Sequence, residues 1–242
     1  MIIKQDNKLL LPNGLFEDYF LKKIFQKNCY STNNKKFIKY FEKSKNSFLF
    51  LKTSEKLGKK ILNEKKIKFL GKNFTFQKKI DKSDNYTKKK NITYKINLTK
   101  QEKIKVVNIA YKNFKYSRFH LDERLSFEKS NLIKKKTLQN YFLGLRGDKL
   151  IVQLNRKEVS GFCLLIFKNS KIAIIDLICV DKNFVKKGLA SDLLLYTLNY
   201  LKKLKKEKII VGTQESNLAA IRLYNAAKFN LKNKTYLYHY IS

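Results

Sequence analysis

The chain has 242 residues, of which 43% are apolar and 30% charged, and 54 basic against 19 acidic residues give a formal charge of +35. That length buries a core in one large domain or two small ones, and the apolar share excludes an extended disordered protein. No run approaches the ~18 apolar residues of a membrane span, the first residues MIIKQDNKLLLPNG lack the apolar centre of a signal peptide, and Cys29, Cys163 and Cys179 are odd in number and widely spaced. These features predict a cytoplasmic protein with no membrane segment, no disulfide framework and no metal site.

In chain order, the first forty residues carry no clear pattern. FLFLK (Phe48–Lys52) reads as a strand, SEKLGKKILNEKK as a short helix and KNFTFQKKI as a second strand by its alternation. The polar, charged stretch Asp81–Asn91 is the expected seam between an N-terminal α/β half-domain (1–85) and a larger domain (92–242). Beyond it, Thr99 and Glu102 make a capping box ahead of Ile104, Val107, Tyr111 and Phe114, which predicts a helix over ~100–115. A second helix is expected over ~130–145, with Ser130 as its N-cap. LIVQLN, VSGFCLLIFK and KIAIIDLICV then form a three-strand meander. A long helix from Gly188 to ~Lys206, a strand KIIVGT and a helix Asn217–Ala227 follow. FNLKN and TYLYHYI read as a closing antiparallel pair. The expected order after the seam is α-α-β-β-β-α-β-α-β-β, a mixed α/β sheet.

The charge alone suggests a polyanion partner. Yet only five of the 54 basic residues are arginine, and Asn, Ile, Phe and Tyr are abundant while Pro occurs once and Trp never. The favoured residues have A/T-rich codons, so genome composition accounts for much of the lysine, which is scattered rather than gathered into a stripe. No specific nucleic-acid partner is expected. The surface should still draw small anionic substrates.

Chemistry concentrates where the strand Ile172–Val180 turns into the helix at Gly188. Gly188 lets the backbone turn and approach a ligand, Ala190 leaves that approach open, and Lys186 and Lys187 add charge. The first helical N–H groups lack intrahelical acceptors and point outward, as a pyrophosphate cradle would. Equally, Gly188 could merely start a helix.

VKKGLAS (Val185–Ser191) resembles the acetyl-CoA signature [QR]-x-x-G-x-[GA] of the GCN5-related N-acetyltransferase (GNAT) superfamily, with Val185 in place of Arg or Gln. The meander before it and the strand–Asn217–helix–Tyr224 after it strengthen the resemblance. The segment Val211–Tyr240, with Thr213, Gln214, Asn217, Ala219, Ala220, Tyr224 and Tyr238, resembles the same region of dTDP-fucosamine N-acetyltransferases, and YSRFHLD (Tyr116–Asp122) resembles a substrate-side loop of such enzymes. Lys228 stands where a glycine commonly precedes the phenylalanine.

The resemblance implies a GNAT fold, a mostly antiparallel sheet flanked by helices, with a degenerate N-terminal half-domain. It implies acetyl-CoA as co-substrate and the amine of a dTDP- or UDP-linked amino sugar as acceptor. The cofactor would be held along Ile178, Val180, Val185, Lys186, Lys187, Gly188, Leu189, Ala190, Asn217 and Tyr224. Ile178 would supply an oxyanion-binding N–H, Tyr224 would be the acid for the leaving thiolate, and Asp176 the candidate base or else a paired structural charge. Arg118 and His120 would face the acceptor, His120 being a second candidate for proton transfer, while His239 reads as structural. A protein, amino-acid or polyamine acceptor, a non-catalytic nucleic-acid or acyl-CoA binding role, and a homodimer all stay open at this point.

Overall fold

The computed structural model describes residues 23–29, 47–64, 67–81, 87, 89–185 and 187–241. Its frame is one nine-stranded sheet in the order β1-β2-β9-β3-β8-β7-β6-β5-β4. The strands are β1 (Lys23–Cys29), β2 (Ser47–Thr53), β3 (Ile67–Lys79), β4 (Ile92–Lys95), β5 (Lys149–Asn155), β6 (Glu158–Phe167), β7 (Ile172–Val180), β8 (Lys208–Gln214) and β9 (Asn230–Ile241). The pairs β1–β2 and β7–β8 are parallel, and all other neighbours are antiparallel. The sheet crosses the seam expected at residues 81–91. β3 comes before it, yet lies between β8 and β9 and pairs with both.

Five helices cover the sheet among the described residues: α1 (Lys59–Glu64), α2 (Lys100–Asn113), α3 (Phe127–Phe142), α4 (Leu189–Lys203) and α5 (Leu218–Ala226). On one face, Val106, Ile109 and Ala110 of α2 and Leu138 of α3 pack against Leu150, Val152, Phe162, Leu164 and Leu177. On the other, Leu193, Leu194, Leu198 and Leu201 of α4 and Tyr224 of α5 pack against Cys163, Leu165, Ala173, Ile175, Ile209 and Val211. Each such side chain removed from water contributes roughly 1.5–3 kcal/mol.

The expected capping box is present in full. Thr99 accepts from the Glu102 N–H, and the Glu102 carboxylate accepts from the Thr99 N–H. Its helix nevertheless buries Val106, Ile109 and Ala110, while Ile104 stays 53% exposed. Two other expectations are corrected, and one strand is new. The second helix begins at Phe127, capped by the Ser126 hydroxyl at the Lys129 N–H, and Ser130 is a buried residue one turn inside it. β4 was not foreseen, because four residues are too few to show alternation. The C-terminal segment is one strand, β9, since the 13-residue β3 offers a continuous partner along its length.

Three helices end in the same way. After α5, Lys228 N–H bonds Asn225 O at 2.9 Å and Phe229 N–H bonds Tyr224 O at 2.9 Å, with the two rings 5.6 Å apart. This is a Schellman motif with its hydrophobic contact, and it requires a left-handed residue, here Lys228 at φ 58°. α4 ends likewise at Lys205 (φ 54°), and α3 at Gly144 (φ 73°). A side chain in that conformation costs about 1 kcal/mol that glycine avoids. Lys228→Gly is therefore expected to stabilise the protein by about 1 kcal/mol in chemical denaturation, and an unchanged or lowered midpoint would contradict this account of the turn.

Candidate functional site

β7 and β8 pair in parallel only from Ile172–Lys208 to Ile175–Val211. Each is then held by its other neighbour: β7 stays on β6 as far as Val180 opposite Gly161, and β8 stays on β3 as far as Gln214 opposite Asn73. The two strands part, and a cavity of about 570 Å³ opens between them. Gly161 permits this, because a Cβ there would lie 2.7 Å from the Cys179 carbonyl oxygen and would push β6 off β7.

A bulge falls at the opening. Leu164 faces Leu177 and Leu165 faces Ile175, so Asp176 has no partner in β6. The bulge shifts the alternation by one residue. Leu177 and Cys179 pack with the α2–α3 face, whereas Ile178 packs with the α4 face. Ile178 therefore falls on the same side as Ala173 and Ile175, which strict alternation along β7 would not give, while Asp176 meets Arg146 just beyond α3. Past Ile175, the sheet register gives β7 no partner on its β8 side, which exposes backbone around Ile178 to the cavity.

At one end of the cavity stand Val180, Val185 and Ala190. Gly188 is the N-cap of α4 at φ 71°, no side chain caps the helix, and a Cβ at Gly188 would meet open space. A ligand could use that space. α4 itself is fixed from behind, where fully buried Gln153 donates from Nε2 to the Leu189 carbonyl and to the Tyr94 hydroxyl, both at 3.1 Å. Leu189 is a core residue, and the Lys187 ammonium lies 5.7 Å from the Phe184 ring centre. Lys186 lies outside the described residues.

Asn217, Ala220, Leu223 and Tyr224 line the β8 side. Asn217 caps α5 by accepting from the Ala220 N–H at 3.2 Å. Its loop is pinned by Glu215, whose carboxylate accepts from the backbone N–H and ammonium of Lys72 beside the β3 bulge. Tyr224 is only 2% exposed and packs between Phe76 and Phe229, with ring centres 5.7 and 5.6 Å away. It is thus the buried residue of α5. Burial pushes its phenol well above the usual tyrosine range, so it remains a proton donor near neutrality. Cys179 also lines the cavity, but burial and then Asp181 push its thiol up to about 12, which withholds a thiolate nucleophile.

The cavity is also cationic. Lys52, Lys115, Arg118, Lys134 and Arg146 line it, with Asp176 the one carboxylate in the described lining. Arg146 donates to both oxygens of Asp176, at 2.8 and 2.7 Å. The guanidinium of Arg118 lies 3.8 Å from the Phe50 ring centre. His120 is placed elsewhere: it does not line the cavity, and its ring nitrogens meet the Ser117 hydroxyl at 2.6 Å and Asn131 Oδ1 at 2.9 Å.

The loop carrying Arg118 is anchored through buried Asp122, which accepts from Arg124 and from His239 Nδ1 of β9 at 2.8 Å. Burial pushes the Asp122 carboxyl up, but hydrogen bonds from Arg124 and His239 outweigh it and hold it well below its usual range. Burial brings His239 down to about 4, so the imidazole is neutral and donates. Phe50, Lys52, Asn73, Lys134, Thr137, Asn140 and Arg146 were not singled out from sequence. Lys134 sat in a lysine run indistinguishable from the surface background, and nothing local marked the others.

Among the described residues, no helix is long and apolar enough to cross a membrane. Comparison with known proteins agrees with the architecture. The fold is shared with a functionally unknown conserved protein from Staphylococcus epidermidis (TM-score 0.68, 13% identity, 91% of this chain and 84% of that one). It is also shared with a GCN5-related N-acetyltransferase from Sphaerobacter thermophilus (TM-score 0.53, 13% identity, 80% and 60%) and with a tandem GNAT protein from the clavulanic acid pathway (TM-score 0.60, 10% identity, 85% and 68%). A curated relative, the spore coat polysaccharide biosynthesis protein SpsD of Bacillus subtilis, is 30% identical over 134 residues, which is 55% of this chain and just under half (46%) of that protein. Residues 113–229, just under half of the chain, match the acetyltransferase (GNAT) family model, and this segment carries both the β7–β8 parting and the helices that follow it.

Proposed function

We propose that the protein transfers an acetyl group from acetyl-CoA to the amine of a nucleotide-linked amino sugar. The observation that carries this reading is the continuity of the cavity. The first turn of α4 at Ala190, a strand edge left without its neighbour at Ile178, a buried phenol and a set of cations all border one space. The relative named for spore coat polysaccharide biosynthesis, and the likeness of Val211–Tyr240 to sugar-nucleotide acetyltransferases, support the acceptor class. A polyamine or lysine-rich acceptor is disfavoured by five cations around one carboxylate.

Each residue then has a role. The first N–H groups of α4 hold the cofactor's pyrophosphate, and Asn217 lies beside the pantetheine arm. The Ile178 N–H donates to the oxygen that gains charge as the amine attacks the thioester carbon. The Tyr224 hydroxyl gives its proton to the departing sulfur. Asp176, with both oxygens accepting from Arg146, holds that arginine in place rather than taking the amine's proton. The acceptor therefore reacts as the free amine or loses its proton to water.

A thiol-release assay with acetyl-CoA tests the acceptor class, comparing dTDP- and UDP-linked amino sugars with peptides and polyamines. Turnover confined to the peptides or polyamines would sink the proposal. Tyr224→Phe keeps the ring between Phe76 and Phe229, and is expected to lower kcat by roughly 10²–10⁴-fold while leaving the KM for acetyl-CoA nearly unchanged. Near-normal kcat would remove Tyr224 as the acid. Gly188→Ala should cost about 1 kcal/mol of stability through its left-handed backbone and weaken acetyl-CoA binding measured by calorimetry. Unchanged affinity in the folded variant would place the cradle elsewhere.

A further inference from the structure

We infer that the acceptor's anionic group docks on Arg118, Lys134 and Asn140, beside the β7 bulge, and that this group is phosphoryl rather than carboxylate. The inference rests on the nucleotide-sugar reading above and assigns the part of the cavity that reading leaves open.

The three residues come from two elements. Arg118 lies on the loop between α2 and α3, and Lys134 and Asn140 are on α3, facing the cavity together with Thr137. Two of them carry a donor without an acceptor. Arg118 Nε and Asn140 Nδ2 are buried without a hydrogen-bond partner, and Asn140 is only 2% exposed. Buried orphan donors are costly, and a native structure tolerates them where a ligand completes the set. Among the described residues no carboxylate pairs with Arg118, Lys134 or Lys52, since Asp176 is already taken up by Arg146. Burial and mutual repulsion act on these cations, with Asp176 pulling the other way at Arg118 and Lys134. Burial, then Arg146, brings Arg118 down to about 10; burial, then Arg118 and Arg146 against the opposing pull of Asp176, brings Lys134 down to about 8; and burial, then Arg118, lowers Lys52.

The phosphoryl assignment follows from the charge count. Arg118, Lys134 and Lys52 present three unmatched cations, which a diphosphate answers more fully than a single carboxylate. Asp176, which Arg146 holds beside the cluster, lies two residues before Ile178, so an anion docked here stands next to the strand that carries the Ile178 N–H. The cofactor's own pyrophosphate is accounted for at α4.

Two measurements test this on the folded wild type, Arg118→Met and Lys134→Met. In the first, steady-state kinetics at saturating acetyl-CoA compare a dTDP-linked amino sugar with the same sugar lacking the nucleotide. Loss of one charge-assisted contact should raise the KM of the linked sugar at least about tenfold, with kcat little changed and the KM of the free sugar unmoved. In the second, calorimetry on protein saturated with CoA uses inorganic pyrophosphate as probe and malonate as the carboxylate control. Pyrophosphate should bind to wild type and lose about tenfold in each variant, with malonate weaker. An unchanged KM for the linked sugar in both variants overturns the docking site while the acceptor class stands. Malonate binding as tightly as pyrophosphate overturns the phosphoryl assignment. If the wild type ignores nucleotide-linked sugars altogether, the reading beneath this inference fails, and the pyrophosphate titration still decides the site.

Discussion

The parting of two parallel strands governs the rest of this molecule. β7 and β8 share four paired positions, and each then follows its other neighbour. Backbone pairing on the outer edges, β6 for β7 and β3 for β8, outcompetes further pairing between them. The gap is lined by peptide groups, which must find partners when buried. A strand edge left open inside a protein is therefore a place where a ligand can supply the missing partners. The Asp176 bulge sits where the gap begins, and it turns Ile178 toward the α4 side.

The N-terminal segment takes part in that geometry directly. β3 holds β8, and its bulge near Gly71 receives the Glu215 side chain, which fixes the loop leading to Asn217. β2 pairs with β9 and brings Phe50 and Lys52 to the cavity. Phe50 in turn supports the Arg118 guanidinium, an arrangement that keeps a cation oriented without a carboxylate to neutralise it. Residues more than 150 positions apart thus meet across the sheet, and the cavity wall around Arg118 is built by both parts of the chain.

Electrostatics and packing divide the cavity into two regimes. Around Tyr224 the walls are apolar and the phenol stays protonated. Around Arg118 and Lys134 the walls hold unmatched positive charge, whose desolvation opposes folding. Asp122 fixes the latter region from behind. It accepts from Arg124 and His239, so the loop bearing Arg118 is tied to β9 rather than left to follow its own conformational freedom.

What the sequence alone determined is local. Thr99 and Glu102 specify a helix start through two reciprocal hydrogen bonds, Gly188 specifies a left-handed turn, Asn217 caps a helix, and alternating or helical apolar spacing marks most elements. These follow from short-range rules. Pairing decided the remainder. That β9 is one strand, that β3 enters between β8 and β9, and that a bulge reverses the faces beyond Asp176 depend on which edges meet, and edge partners are not written in any one segment. The same holds for the cationic wall. Lys134 looks like any other lysine of a lysine-rich chain until α3 and the loop before it bring it beside Arg118, where burial changes what its charge costs and what it can bind.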